Sequence, residues 1–424
     1  MISKRNEIVG GVTTFLTMSY IIVVNPRILS TEGTGLAFSA VMTATVLLCF
    51  SMTLFMGLYA RLPFAVAPGM GLNAYFTFQV VLAEGVPARV ALGLVAWAGA
   101  AFVLVSATPL RRAIARAVPL HLRQAAAAGI GLFLAFLGLK ATGLVAASPA
   151  TLVTAGGFGR AAAIAGVGLV VSVVLLLRKS ALALLAGIVA ATLTAAALGE
   201  VSAPARVLST PDLSLAGRAD LVGALKLAYI PAALAILLTD LFDSLSTFVG
   251  VATATGLTDE NGEPKNLVRA LTVDAFATLT AGLLGTSAGT AYVESAAGIR
   301  AGGRTGLASV VCAICFLPFL FLGPLAETVP AAATAPALLL VGVFLFAVAR
   351  ELPTTKLEEA LPAFATLLLI PFTASIGRGI LCGFVLHALC FTLAGRRREL
   401  TPTMWILAAV AAGALALESL HGKI

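Results

Sequence analysis

Charge is scarce in this sequence. Asp, Glu, Lys and Arg make up 11% of 424 residues, where a soluble globular chain averages about 25%. Too few charges exist to solvate a surface all round. The chain is 60% hydrophobic, with a mean hydropathy of +1.04. Its apolar runs repeatedly reach the roughly 17 to 25 residues that a bilayer crossing needs. These features describe a polytopic, all-α membrane protein embedded in a lipid bilayer. Other absences narrow the function. No G-x-x-x-x-G-K-[ST] loop is present, which excludes a nucleotide-driven pump in this chain. The net charge is +8, yet no continuous basic patch exists. The basic residues sit in short loops between apolar runs, so they read as topology signals and no nucleic-acid partner is expected. Cysteines number five, and Cys312 and Cys315 form a C-x-x-C inside an apolar run without His or Cys partners nearby. All five read as packing residues, with no metal site expected. No small-residue cleavage site follows the first apolar run, so a retained first span is expected.

Spans are expected near 8–24, 38–58, 90–106, 124–140, 161–177 and 180–199, and then near 228–252, 266–285, 305–323, 334–349, 357–372 and 375–395. Two shorter segments, 64–82 and 286–300, are broken by Gly and Pro or by small residues. Counting both as crossings gives fourteen spans, with 403–418 as a further span or an interfacial helix. With a cytoplasmic N-terminus, the inner loops then hold 18 Lys and Arg, including Arg111, Arg112 and Arg116, against eight outside. That bias is what the positive-inside rule requires.

The broken segments are PFAVAPGMGLNAYFTFQVVLA at 63–83 and GTSAGTAYVESAAGIRAGG at 285–303. Each begins extended and becomes helical, the first from about Asn73 and the second near Glu294. Each is the third span of a seven-span half. Irregular backbone at membrane depth persists only where protein covers it or where it lines a cavity. Interrupted segments at matching positions of two halves point to a transporter's binding site. A half-helix starting mid-membrane also presents unpaired N–H groups and a partial positive charge.

Away from the span ends, four acids fall within the expected spans: Asp240, Asp243, Asp274 and Glu294. An acid at a helix centre costs about 2.5–3.5 kcal/mol on insertion scales, so it lines a cavity or has a partner. Asp240 and Asp243, at i and i+3, share a helix face that Ser244 and Thr247 continue. No Lys or Arg lies in the neighbouring apolar cores, so these acids are candidates for carrying a proton. Asp274, read as near a helix start, is expected to be structural. Asn73 is expected either as an N-cap or as a polar group of the chamber. Tyr75, Phe76 and His387 are expected to pack.

The stretches RNEIVGGVTTFLTMSYIIVVNP at 5–26, APGMGLNAYF at 67–76, TDLFDS at 239–244 and YVESAAGIRAGGRTG at 292–306, taken in order, resemble the AzgA-like purine permeases of the nucleobase:cation symporter-2 group. The resemblance implies fourteen transmembrane segments as a 7+7 inverted repeat. Spans 1–4 and 8–11 (residues 1–110 and 220–323) would form a core domain. Spans 5–7 and 12–14 (residues 111–219 and 324–424) would form a gate domain. It implies secondary active transport by alternating access at the cell membrane, importing adenine, guanine or hypoxanthine with protons. No cofactor and no enzymatic activity are implied, and related folds suggest a homodimer through the gate domain. Carried over by motif, the substrate-binding acids fall on Asp240 and Glu294 and the third-span amide on Asn73. Gly71 would let backbone approach the ligand, with Thr290, Tyr292 and Val293 supplying backbone contacts. Ala291 stands where a polar residue is expected. Proton coupling falls on Asp240, Asp243 and Glu294. Uracil or xanthine permeases and anion transporters share the fold, although acids serve an anion carrier poorly. An intramembrane aspartyl enzyme would need two facing acids in a wet cleft, a pairing that Asp240 and Asp274 would supply.

Overall fold

The computed structural model describes residues 3–108, 118–201, 203–204, 206–258, 264–353 and 355–421, without the side chains of 417–421. Arg111, Arg112, Arg116 and the His421 side chain lie outside the described residues. In chain order the helices are α1 (Lys4–Met18), α2 (Ile21–Leu29), α3 (Phe38–Phe55), α4 (Met70–Ala74), α5 (Ala88–Ala107), α6 (Leu120–Ala141), α7 (Arg160–Leu177) and α8 (Ala183–Ala197). Then follow α9 (Ile230–Thr255), α10 (Leu267–Leu284), α11 (Ser295–Arg300), α12 (Gly306–Phe316), α13 (Gly323–Glu327), α14 (Ala331–Phe346), α15 (Leu357–Thr373), α16 (Ile376–Leu393) and α17 (Pro402–His421). Among the described residues, nine helical segments are long and apolar enough to cross a membrane. The segments read from the sequence overlap these helices, and some cover more than one, as 8–24 does with α1 and α2. The sequence 403–418 lies within α17, which packs on α16 and α9.

Four short strands interrupt the helices: β1 (Val66–Pro68), β2 (Val145–Ser148), β3 (Leu152–Ala155) and β4 (Gly289–Ala291). The hairpin β2–β3 is largely exposed and was not anticipated from the sequence. Strands β1 and β4 are the extended parts of the two broken spans. They pair antiparallel with Val66 opposite Ala291, Ala67 opposite Thr290 and Pro68 opposite Gly289. Antiparallel pairing is what two copies of one element give when they run in opposite directions. Each strand leads into a half-helix. The first starts at Met70, three residues earlier than expected, and continues as a π-helical stretch over Tyr75–Ala83. The second starts at Ser295, with Glu294 as its N-cap residue.

A two-stranded sheet inside a membrane leaves two outer edges, whose polar groups need partners. Side chains of the flanking helices supply them. On the β1 edge, Thr53 of α3 accepts from Val66 N at 2.9 Å and donates to the Val66 carbonyl at 3.1 Å. On the β4 edge, Ala291 N donates to Asp274 Oδ1 at 2.8 Å, and Thr278 donates to the Gly289 carbonyl at 3.0 Å. Asp274 and Thr278 lie four apart on α10 and therefore on one face. Asp274 is mid-helix, not near a helix start as read from the sequence, because α10 begins seven residues before it at Leu267.

Other contacts place the ends of the spans. Glu7 of α1 is buried and accepts from the backbone N–H of Arg304 at 3.0 Å and of Thr305 at 3.2 Å. This brings the first and last of the four sequence motifs together. Helix α10 packs closely on α5, where a Cβ on Gly99 would meet the Leu279 backbone at 2.1 Å. The long connection between the halves is tied to α3: the Ser39 hydroxyl donates to Asp212 Oδ2 at 2.6 Å and Asp212 N donates to Thr43 at 3.0 Å. With that hydroxyl and Ser214 beside it, the Asp212 carboxyl is held below its ordinary range.

Candidate functional site

A cavity of about 80 Å³ lies where the strand pair meets α6, α9 and α14. One water needs roughly 10–15 Å³ on this measure, so the space suits a small molecule. Its polar wall comes from the broken spans and α9. The second broken span gives Thr290, Ala291, Tyr292, Val293 and Glu294, and the first gives Gly69, Met70 and Gly71. Helix α9 adds Thr239, Asp243 and Thr247, a row spaced by four. The opposite wall is apolar, with Ala127 and Ile130 of α6 and Val341, Phe344 and Leu345 of α14. Gly71 permits a close approach, and its neighbour is α6: a Cβ there would meet Ile130 Cγ2 at 2.6 Å.

The cavity holds two carboxylates, Glu294 and Asp243, which repel each other electrostatically. Glu294 is oriented by Tyr20, whose hydroxyl donates to Oε1 at 2.7 Å. Tyr20 sits where α1 ends and α2 begins, is 1% exposed and also lines the cavity. Sequence reasoning assigned it no role. The available signal was a polar-tipped aromatic within the first span, since a buried Tyr O–H needs a partner. Tyr292 is held in turn, its hydroxyl donating to the Pro68 carbonyl at 2.5 Å.

Two residues expected at the substrate, Asp240 and Asn73, do not line this cavity. Asp240 is 0% exposed and does not line the cavity. It belongs to a second row of α9, Asp240 and Ser244, which faces α10 and β4. Thr278 donates to Asp240 Oδ2, Ser244 donates to Asp274 Oδ2, and the Ser244 and Thr290 hydroxyls are 2.8 Å apart. Asp240 and Asp243 thus point to different neighbours, although three residues apart. Asn73 is also fully buried and off the cavity wall. It is not an N-cap, since Gly69 holds that position. Its Oδ1 accepts from Ser287 in the approach to β4. Asn25, likewise missed, donates to Thr45 at 2.7 Å and to Thr286 at 2.9 Å. The two amides fix the residues leading into β4.

The packing expectations hold for Tyr75 and Phe76, which are buried and off the cavity wall. His387 packs against His121, with Nδ1 and Nε2 3.4 Å apart. Asp240 and Asp274 do face one shared network, but both are sealed from solvent. An acid pair for hydrolysis needs access to water, and this one has none.

The architecture matches solved transporters. The transmembrane domain of a cyanobacterial bicarbonate transporter, BicA, superposes with a TM-score of 0.65 at 18% identity, covering 89% of this chain and 97% of that one. A family model described as a permease family matches residues 5–382. The chain belongs to this permease family. Among its relatives, the adenine permease AdeP of Escherichia coli is 39% identical over 96% of this chain and 91% of its own length. The guanine/hypoxanthine permease PbuO of Bacillus subtilis is 38% identical over 96% of both chains. The protein is therefore a multi-pass membrane permease and not an enzyme.

Proposed function

We propose that this permease imports purine nucleobases, adenine, guanine or hypoxanthine, together with protons. The observation that carries the reading is the cavity itself, with two carboxylates and helix-start N–H groups on one side and an apolar wall on the other. A purine is flat, uncharged at pH 7, and edged by both donors and acceptors. Glu294 and Asp243 accept its N–H and amino hydrogens. The first N–H groups of the Met70–Ala74 helix, which lack intrahelical partners, meet its acceptors. Ile130, Val341 and Phe344 cover its faces. An anion would meet two carboxylates there, which disfavours the activity of the bicarbonate transporter despite the shared scaffold. The curated relatives with purine names support the same choice.

In this reading Asp243, not Asp240, is the eighth-span acid that touches the base. Alternating access follows when the core spans 1–4 and 8–11 rock against the gate spans 5–7 and 12–14. The cavity lies on that seam, with α6 and α14 on the gate side. The distribution of Lys and Arg supports a cytoplasmic N-terminus.

The test is uptake of labelled adenine, guanine, hypoxanthine, xanthine and uracil into cells lacking their own carriers, with and without a protonophore. Saturable uptake of a purine, lost when the proton gradient collapses, is the expected result. Uptake of uracil alone, or none from protein present in the membrane, would sink the reading.

A further inference from the structure

We infer that the groove between α16 and α17 binds an anionic phospholipid, with an acyl chain between the two helices and the phosphate on Arg397 and Arg398. The groove has a volume of about 370 Å³ and shares no lining residue with the transport cavity. Helix α16 lines it with Val385, Ala388, Leu389 and Thr392. Their spacing of i, i+3, i+4 and i+7 makes one continuous face, two turns or about 10 Å long. Helix α17 contributes Trp405 and, one turn further, two alanines. The alanines are too small to fill the gap between the helices. Leu389 and Trp405 are half-exposed, at 50% and 44%, so the groove opens outward. For a membrane-embedded chain, outward means the bilayer.

Charge at one end of the groove selects the headgroup. Residues 394–401 connect the two helices, so they lie at the end where Thr392 and Trp405 stand. This connection carries Arg396, Arg397 and Arg398 in a row. Arg396 is committed to protein. It donates to both oxygens of Glu399, at 2.7 and 2.6 Å, to Glu358 at 2.7 Å and to Glu359 at 3.2 Å. Glu358 and Glu359 belong to α15, which packs on α16 as α17 does, and Lys356 adds a cation 3.8 Å from Glu359. The nearby acids therefore have cations of their own. Arg397 and Arg398 are exposed, and among the described residues neither forms an ion pair. A guanidinium fork matches the oxygens of a phosphate. A zwitterionic lipid would bring a cation along with its phosphate and gain less from two free arginines. The distribution of Lys and Arg supports a cytoplasmic position for this connection, on the leaflet where anionic lipids concentrate.

The experiment reads Trp405 fluorescence in the full chain, held in phosphatidylcholine nanodiscs. Rising fractions of phosphatidylglycerol or of phosphatidylcholine, each brominated on the acyl chains, are the quenchers. Trp97→Phe removes the one other indole. Half-maximal quenching is expected at about a tenfold lower fraction of the brominated phosphatidylglycerol, in line with two basic residues near an anionic headgroup. Arg397→Gln together with Arg398→Gln should abolish that preference. Ala409→Phe, which fills the groove, should lower quenching by both lipids. Equal quenching by the two lipids is ordinary bilayer contact and overturns the inference. A preference that survives in the double variant, or quenching unchanged in Ala409→Phe, overturns it too. Weak quenching by both lipids, as a second copy seated on the groove would give, does the same. If Trp97→Phe does not insert, thermal unfolding of the parent in detergent takes its place. Added phosphatidylglycerol should then raise the midpoint more than phosphatidylcholine does, and only while both arginines are present; equal rises overturn the inference.

Discussion

Three residues past the end of strand β1 stands Gly71, and three past the end of β4 stands Glu294. The two broken spans otherwise follow one plan. At the β1 edge a single threonine, Thr53, both accepts from and donates to Val66. At the β4 edge Thr278 donates and Asp274 accepts, one helical turn apart. Each half-helix also braces the residues leading into the other half's strand: Asn73 holds Ser287, while Ser295 accepts from Ala65 N at 3.0 Å. The first half supplies neutral groups and the room that Gly71 leaves. The second half supplies every carboxylate of the site. The repeat builds a symmetric frame, and the chemistry is loaded on one side of it.

The largest break in that asymmetry is Glu294→Gln. The variant keeps the shape and the bond from Tyr20 but replaces one acceptor oxygen with a donor. A charged hydrogen bond contributes about 1.5–3 kcal/mol. Losing it, and leaving an opposed donor in the cavity, should lower uptake by roughly 100-fold or more. Transport assays on cells with matched amounts of membrane-inserted protein check this. Wild-type uptake would move the base away from the tenth span.

Tyr20→Phe is the milder break, since the first span enters the site only through this phenol. Glu294 keeps its charge but loses its orienting donor. KM for the base is expected to rise about tenfold, the lower end for one charged hydrogen bond, with Vmax largely retained. A purely structural role for Tyr20 would instead lower Vmax through the amount of folded protein. Initial rates over a range of base concentrations separate the two outcomes.

Much of this plan was legible from local signals. Hydropathy marked the long spans, Gly and Pro marked the break in the third and Gly with small residues that in the tenth, because these are properties of short windows. What sequence could not supply was sidedness. Positions i and i+3 on a helix lie about 60° apart, so Asp240 and Asp243 share a face by periodicity. Packing against α10 separates them, sending Asp240 to Thr278 and leaving Asp243 on the cavity. The partners of Tyr20 and Asn73 lie 274 and 214 residues away, distances at which no local pattern operates. The pairing of β1 with β4 is non-local in the same way, although the extended character of both segments was readable.

Thr53→Val gives the smallest expected change in transport and the sharpest comparison between the halves. It removes the same hydroxyl from the β1 edge that Thr278→Val removes from the β4 edge. Val66 then loses a donor and an acceptor, which costs about 1–3 kcal/mol for each buried group left unpaired. Thermal unfolding of the purified protein should therefore begin at a lower temperature. Among the described residues no carboxylate is hydrogen-bonded to Thr53, whose hydroxyl meets only the Val66 backbone. Uptake per folded molecule should stay at the parent level for Thr53→Val and fall for Thr278→Val, which also strips Asp240 of its donor. If both variants lost uptake alike, the sheet would need both edges intact to work, and the special role of the acidic edge would fall.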